Sequence, residues 1–267
     1  MTDQIDPPII TQKDYLSPSV FTPENMLREA RRQKSIPEGK VPKVCILDPD
    51  GDIVQNLVTS GLAKRNQYWA CYHTHMYNFT YEGFEFGVVG NAVGASFAVL
   101  VAEEMFACGC ELLISMTSAG QIMPKGTPPY FVLIEKSLRD EGTSYHYLPP
   151  SQFSTIHPKL LADLENVFEK SQPPVFCGAT WTTDAPFRET EKAISFCHSE
   201  GILGVEMEAA ALYAFSEVKQ RPVICFAHIT NQMGNVENDF EKGEAQGSLD
   251  AVEVISQAAK AWLAING

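Results

Sequence analysis

The sequence is poor in positive charge and has no long apolar run. Its 267 residues hold 20 lysines and arginines against 33 aspartates and glutamates, a formal net charge of −13 at pH 7. Because phosphate-backbone binding depends on clustered Lys and Arg, this balance argues against a nucleic-acid polymer as partner. No segment has the roughly 18 consecutive apolar residues of a membrane span, and the acidic, proline-rich start MTDQIDPPIITQKDY does not resemble a secretory signal. We therefore expect a cytoplasmic protein without membrane contact.

Several motifs of known chemistry are also missing. The 7 cysteines are odd in number and lie mostly in apolar runs such as VICFAH, which is typical of buried free thiols and not of a disulfide scaffold. There is no GxSxG nucleophile motif, no Walker lysine and no GxGxxG after a predicted strand. The acidic stretch DPDGD lacks the spacing of a calcium loop and is interpreted as a turn before a helix.

The chain shows instead a regular alternation of strand and helix patterns. Short apolar segments predict buried strands, and helical patterns follow most of them. Such alternation indicates a single α/β domain whose central sheet is covered on both faces, here residues 42–267. Residues 1–41 are expected to form a loop-rich arm with one helix, which Thr22 caps and Pro23 begins. The clearest predicted strands are KVCILDP, ELLISM, PVFCGATWTT and PVICFAHITNQ.

Polar segments follow three of these strands. Ligands in such folds bind at the carboxyl ends of the strands, so we expect these segments to meet at one rim of the sheet. The stretch LLISMTSAGQI is interpreted as a buried strand that ends in a loop of hydroxyl groups and free N–H groups, without positive charge. The other two segments are TWTTDAPFRET and HITNQMGN.

Two carboxylates open an alanine-rich helical pattern. Glu206 and Glu208 begin VEMEAAALYAFSEVKQ, whose alanine run predicts a buried helix. Buried carboxylates are unfavourable unless they bind something, which favours a functional role. The structural alternative is a solvated helix start, where acidic residues interact well with the helix dipole.

Other polar residues allow both a functional and a structural interpretation. Arg188 beside Phe187 can hold a flat polar heterocycle, but the preceding TTD segment can also simply cap the next helix. Asn231 can bind a base or form an Asx turn. His73 and His75 share one face of a predicted strand, a spacing that suits a metal, but no third ligand lies near them in sequence. We expect no metal site.

Several motifs together resemble the nucleoside phosphorylase superfamily, and most closely its uridine phosphorylase-like branch. The resemblance covers about residues 42–265. It implies a single-domain, three-layer α/β/α fold with a central mixed sheet, assembled as a homo-oligomer (dimer or hexamer). It also implies cleavage of the N-glycosidic bond of a nucleoside without a cofactor, with inorganic phosphate as a possible co-substrate. The motifs are GVEMEAAALYAF, TTDAPFRET and DEGTSYHYLPP, supported by VGASFAVLVAEE and TSAG.

The resemblance further implies roles for individual residues. Glu208 would bind the ribose hydroxyls, Met207 would pack against the sugar, and Ser118 would contact both sugar and phosphate. A carboxylate suits this chemistry because bond cleavage builds positive charge on the sugar, while Arg188 could neutralise the departing base. Glu208, Arg188 and Asn231 are the expected catalytic residues. Base contacts are expected from Phe187, Arg188, Ala119, Gly120 and Asn231, and contacts to phosphate or water from Ser118, Ser115, Gly94 and His73.

The sequence does not decide whether phosphate or water accepts the sugar when the bond is cleaved. Phosphorylases of this family carry an arginine where this chain has Ser115, and their Gly-Asp-Pro-x-Arg turn is replaced here by LDPDGDI. Overall similarity favours phosphorolysis, whereas the missing arginines favour a phosphate-independent nucleosidase. A non-catalytic nucleoside-binding protein on the same scaffold is a further alternative. A metal-dependent hydrolase built on His73 and His75 is the weakest one.

Overall fold

The structure is a computed structural model that describes residues 7–233, 237 and 239–266. The strands are β1 (Val44–Asp48), β2 (Lys64–Arg65), β3 (Met76–Tyr81), β4 (Phe84–Gly90), β5 (Leu112–Gln121), β6 (Tyr130–Asp140), β7 (Phe153–Thr155), β8 (Val175–Thr183), β9 (Gly204–Glu206) and β10 (Val223–Asn231). The α-helices are α1 (Pro23–Lys34), α2 (Asp52–Thr59), α3 (Ala95–Ala107), α4 (Pro158–Asp163), α5 (Glu191–Ser199), α6 (Ala209–Lys219) and α7 (Ser248–Asn266).

One mixed sheet organises the molecule. Its strands follow the order β10-β6-β8-β9-β5-β1-β4-β3-β2, with β7 beside β6. Strands β1 and β4 run parallel, as do β1 and β5, whereas β6 and β10 are antiparallel. Because β10 also pairs with β5, the strands β5, β10, β6, β8 and β9 close into a ring. The predicted single α/β domain with a central mixed sheet is confirmed.

Helices cover the sheet in two groups. Helix α3 contacts α1 and α6, whereas α7 contacts α2 and α4. The central strands β1 and β10 are buried along their whole length, as expected for apolar strands with helices on both faces. This arrangement gives three layers. No helix in the described part of the chain is long and apolar enough to cross a membrane.

The N-terminal part runs across the α1 side of the molecule. Residues 1–6 of the predicted arm lie outside the described residues, and residues 7–22 form turns and bends before α1. The expected cap of α1 is confirmed, since Thr22 Oγ1 accepts the N–H of Asn25 at 3.3 Å. Gly234 and Asn235, in the segment HITNQMGN, also lie outside the described residues.

Strand β5 is longer than its sequence pattern indicated. A loop was expected from Thr117 onward, whereas β5 continues to Gln121. The last residues stay extended because Gly120 pairs with Asn231 of β10 and with Val205 of β9. The hydroxyl-rich segment is therefore held between two neighbouring strands.

The histidine pair does not lie on a strand. The segment YWACYHTHMYNF was interpreted as one strand, but β3 begins only at Met76, so His73 and His75 precede it. Antiparallel pairing of β3 with β4 ends at Met76. Before that point Asn66 folds the chain, because its Oδ1 accepts two backbone N–H groups of the residues that follow.

Two predicted helices are shorter than expected. In VEMEAAALYAFSEVKQ, the first residues belong to β9 and helix α6 begins at Ala209. The helix starts there because the Glu206 carboxylate accepts the N–H groups of Glu208 and Ala209. The amphipathic pattern of HPKLLADLENVFEK predicts a longer helix than α4, which ends at Asp163, and Asn166 beyond it adopts a left-handed φ of 63°.

Candidate active site

The polar ends of several strands meet at one rim of the sheet, as the sequence predicted. Strand β5 places Ser118 opposite His228 of β10 and Gly120 opposite Val205 of β9. Strand β8 places Thr182 opposite Glu206 of β9. Strand β1 ends beside β5, so the aspartates that follow β1 reach the same rim.

Glu208 carries a carboxylate oxygen without a partner. The residue precedes α6 and is only 1% exposed. Its Oε1 accepts the N–H of Gly94 at 2.7 Å, whereas its buried Oε2 has no hydrogen-bond partner. Burial, together with nearby Glu206, raises the pKa of Glu208 to about 8, although the Gly94 N–H and the Thr117 hydroxyl favour the charged form. Burial therefore favours the protonated form of Glu208, and Oε2 is the oxygen whose hydrogen-bonding capacity is unused.

Glu206 is also buried, but its carboxylate is fully engaged. Its Oε2 accepts the N–H groups of Glu208 and Ala209, each at 2.7 Å. Burial raises the pKa of Glu206, and the surrounding donors oppose this rise. Glu206 is therefore a structural residue that fixes the start of α6. The hydroxyls of Ser137, Thr180 and Thr182 surround its Oε1.

Three aspartates lie near Ser118, one at the end of β1 and two just after it. Asp48 is buried and accepts the N–H groups of Gly51 and Val54, and burial raises its pKa to about 7. Asp52 forms an ion pair with Lys242. Asp50 Oδ2 accepts the N–H of Ser118 at 2.7 Å. The backbone donor that was expected to face an anion is thus occupied by a carboxylate of the chain itself.

A small cavity lies between these aspartates and β10. Its volume is about 20 Å³, and we call it the aspartate cavity. No lysine or arginine is found among the described residues that line it. Its polar lining consists of Asp48, Asp50, Asp52, Thr117, Ser118, His228, Gln246 and Ser248, with Gly247 in the wall.

The far end of β5 meets Asn231. A Cβ atom at Gly120 would lie 2.5 Å from Met233 Sδ and 3.2 Å from Asn231 Oδ1, so a larger residue would require the Met233 side chain to move. Asn231 forms the Asx turn considered from the sequence, because its Oδ1 accepts the N–H of Met233 at 2.9 Å. Ala119 is buried beside Ile229. These residues form the wall of the rim on which a base contact was predicted.

Phe187 and Arg188 stand apart from this cluster. They form a short 3-10 turn after β8, in which the Phe187 side chain is 100% exposed and Arg188 is also exposed. The TTD segment before them does not cap α5, because Thr190 accepts the N–H of Ala193 and caps that helix. In the described part of the chain, no hydrogen bond joins either residue to Glu208, and neither lines the aspartate cavity.

Of the remaining predicted residues, Gly94 and Met207 lie near Glu208 in space or in sequence, whereas Ser115 and His73 have no contact with it in the described hydrogen bonds. Gly94 belongs to the Glu208 cluster through its N–H, while Met207 is half-buried beside it in sequence. Ser115 is buried, and its hydroxyl has no hydrogen-bond partner. His73 is exposed, with its ring 6.3 Å from that of Phe97.

The histidine pair shows no metal-binding arrangement. His75 lies with Nδ1 2.9 Å from a guanidinium nitrogen of Arg65, away from His73. Across residues 7–233, 237 and 239–266, no three His, Cys, Asp or Glu side chains come close enough together to hold a metal ion.

Comparison with known proteins identifies the family. A family model described as the phosphorylase superfamily matches residues 43–262. The chain belongs to the phosphorylase superfamily. It is 21% identical over 188 residues to a guanosine phosphorylase of Halorubrum lacusprofundi, an alignment that covers 69% of this chain and 76% of that protein.

Solved structures share the fold of this superfamily member. A uridine phosphorylase from Vibrio fischeri ES114 superposes with a TM-score of 0.70 at 20% identity, over 83% of this chain and 92% of that one. A 5′-methylthioadenosine/S-adenosyl homocysteine nucleosidase from Campylobacter jejuni gives a TM-score of 0.65 at 17% identity, over 82% and 98%. Superfamily members are enzymes that act on nucleosides, some as phosphorylases and some as nucleosidases.

Three residues at the candidate site of this phosphorylase-superfamily chain were not predicted from the sequence. Asp50 was not expected as the partner of the Ser118 N–H. Neither Thr117 as a neighbour of Glu208 nor His228 as part of the aspartate cavity was predicted. The three acids of LDPDGDI after a predicted strand were the signal for Asp50. His228 gave no signal, because it sits inside an apolar strand.

Proposed function

We propose that this protein cleaves the N-glycosidic bond of a nucleoside and uses water as the acceptor of the sugar. The single observation that carries the choice of water is the contact between Asp50 Oδ2 and the Ser118 N–H, at 2.7 Å. The resemblance implies that Ser118 contacts phosphate in a phosphorylase, so a carboxylate on its N–H favours a neutral acceptor. Asp50 is therefore a candidate base for a water molecule.

The electrostatics of the aspartate cavity oppose phosphate. Two unit charges of like sign about 4 Å apart repel by about 4 kcal/mol at an effective dielectric constant of roughly 20. A hydrogen bond from a backbone N–H returns only about 1 kcal/mol net, or up to about 3 kcal/mol when the acceptor is charged. Repulsion by the Asp50 carboxylate, which solvent screens because Asp50 is exposed, therefore disfavours a phosphate dianion. No lysine or arginine lines the cavity among the described residues, and Lys242, which lies close by, is already ion-paired with Asp52.

The size of the aspartate cavity supports the same choice. A cavity needs a volume of about 10–15 Å³ to hold one water molecule. The aspartate cavity offers about 20 Å³, which is enough for one water, whereas a phosphate group would require the surrounding segments to move apart.

In the proposed reaction, Glu208 binds the pentose of the nucleoside. Hydroxyl donors of a bound pentose would favour the charged form of Glu208, whose Oε2 would then accept their hydrogen bonds. As the bond between C1′ and the base nitrogen breaks, positive charge develops on the sugar, and nearby carboxylates stabilise it. Because Glu208 is only 1% exposed, neighbouring groups must move to admit a nucleoside.

The proposed step balances as a hydrolysis. The water oxygen forms a bond to C1′ and gives a proton to Asp50. The electron pair of the C1′–N bond leaves with the base, whose negative charge Arg188 would neutralise at the rim. The base then takes a proton from solvent, and the products are a free pentose and a free base.

A nucleoside panel tests this proposal. Purine and pyrimidine nucleosides are incubated with the protein in phosphate-free buffer, and base release is followed by chromatography. We expect Glu208→Gln to lower kcat/KM about 100- to 1000-fold, as loss of one transition-state contact does. Asp50→Asn should lower it about 100-fold or more, because a general base is lost. Glu200→Gln, an exposed substitution at the end of α5, serves as the matched control.

Three outcomes separate the alternatives. Base release that requires added phosphate would contradict the choice of water and favour phosphorolysis. No release from any nucleoside, with saturable binding that Glu208→Gln abolishes, would favour a non-catalytic binding protein. Release that persists in Glu208→Gln at the wild-type rate would refute the proposed site.

A further inference from the structure

The imidazole of His228 forms one wall of the aspartate cavity. It lies on β10 opposite Ser118, is only 5% exposed, and lines the aspartate cavity together with Asp50. Its ring stacks on Phe131, with centroids 4.5 Å apart and an interplanar angle of 19°. The stacking fixes the orientation of the imidazole, so the side chain cannot easily turn out of the cavity wall.

The imidazole fills space and carries no charge. Its Nε2 is buried and has no hydrogen-bond partner. Burial lowers the pKa of His228 to about 4, and nearby Lys242 lowers it further, while Asp50 acts in the opposite sense. The ring is therefore neutral at pH 7 and offers an anion no positive charge.

The chain before α7 closes the cavity against this ring. Gly247 has a φ of 72°, and a Cβ atom at this position would overlap the His228 ring. Ala245 and Gln246 just before it also have left-handed φ values, 50° and 59°. The ion pair between Lys242 and Asp52 ties the same segment to the residues after β1. Glycine is thus the residue that lets this segment lie directly on the imidazole.

We infer that His228, with Gly247 against it, sets the size of the acceptor subsite, so that water reaches the sugar carbon and a larger nucleophile does not. The inference rests on the proposed function, because it takes the aspartate cavity as the place of the attacking water. His228 is then a specificity-determining residue, which acts through its volume.

A neutral alcohol distinguishes volume from charge. If methanol replaces water, its oxygen bonds to C1′, its proton goes to Asp50, and the electron pair of the broken bond leaves with the base. The product is a methyl pentoside in place of the free pentose. Methanol differs from water by one methyl group and carries no charge, so repulsion by the aspartates does not affect the comparison.

The experiment measures the ratio of methyl pentoside to free pentose in buffer that contains methanol. One methyl or methylene group in a closed pocket changes selectivity by roughly 10-fold or more. We therefore expect His228→Ala to raise this ratio at least about 10-fold over wild type. His228→Phe keeps an aromatic ring in place and should keep the wild-type ratio. Gly247→Ala displaces the covering segment and should raise the ratio, which tests the idea even if His228→Ala does not fold.

The outcomes of this experiment distinguish the inference from the proposed function. If wild type releases base but neither His228→Ala nor Gly247→Ala changes the ratio, the inference is overturned while hydrolysis stands. A rise in His228→Phe equal to that in His228→Ala would show that volume is not the cause, and would also overturn it. If wild type releases no base in any buffer, the proposed function fails and the inference falls with it.

Discussion

At the scale of single residues, Glu208 and Glu206 differ in what their carboxylates have left to bind. Glu208 Oε2 is buried without a partner, whereas both oxygens of Glu206 are engaged by the surrounding chain. The sequence presented both as acids at the start of a helix and could not separate them. The difference depends on Thr182 and on the other hydroxyls brought in by β6 and β8, which are distant in sequence.

The raised pKa of Glu208 predicts a pH-dependent stability. Its pKa is about 8 in the folded protein and about 4 in an unfolded chain. The folded state therefore keeps a proton that the unfolded state has lost, so the contribution is complete below about pH 4 and disappears as the pH rises to about 8. One such group changes the free energy of unfolding by at most about 1.4 kcal/mol per pH unit.

Urea denaturation of wild type and Glu208→Gln at pH 5 and pH 8 measures this contribution. Glutamine resembles the protonated carboxyl group and does not titrate, so the variant should lose less stability over this range than wild type. Glu200→Gln is the exposed control and should behave as wild type. Parallel losses in wild type and Glu208→Gln would contradict a raised pKa at this residue.

At the scale of elements, the start of α6 depends on Glu206. Its carboxylate accepts two N–H groups at the start of the helix and lies among three hydroxyls from β6 and β8. Glutamine can keep its carbonyl oxygen toward the two N–H groups, but its NH2 group then faces three hydroxyls that must all turn to accept from it. Because each buried group left unsatisfied costs about 1–3 kcal/mol, we expect Glu206→Gln to lower the free energy of unfolding at pH 7 by about 1–3 kcal/mol.

The matched comparison is Glu208→Gln in the same urea titration. At pH 7 it should change the free energy of unfolding by less than about 1 kcal/mol, since burial favours the protonated form of Glu208, which glutamine resembles. A larger loss of stability in Glu208→Gln than in Glu206→Gln would show that Glu208, and not Glu206, holds α6 in place.

Local sequence patterns predicted which helices and strands exist better than they predicted where each one begins and ends. The apolar runs of β1 and β10 and the caps of α1 were clear in the sequence, because each depends on neighbouring residues. Strand β9 was missed, since three residues before an alanine-rich helix look helical in isolation. The extension of β5 was missed for a related reason, because Gly120 is held by Asn231 and Val205 from other parts of the chain.

At the scale of the whole molecule, the alternation of strands and helices predicted the covered sheet but not its closure. The ring forms because β10 pairs with β5 as well as with β6, a long-range contact that no local pattern encodes. This pairing sets His228 beside Ser118 and so builds one wall of the aspartate cavity. The site could therefore be predicted in part: Glu208, Gly94 and Ser118 share one neighbourhood, whereas Phe187 and Arg188 remain exposed at the rim.

The identity of the sugar product tests the central claim most directly. The protein is incubated with a nucleoside from which it releases base, in buffer that contains phosphate, and the pentose product is identified by nuclear magnetic resonance. Our account predicts free pentose in an amount equal to the released base, unchanged when phosphate is added, and much less of both in Glu208→Gln. Formation of a pentose 1-phosphate, in proportion to the phosphate supplied, would contradict it.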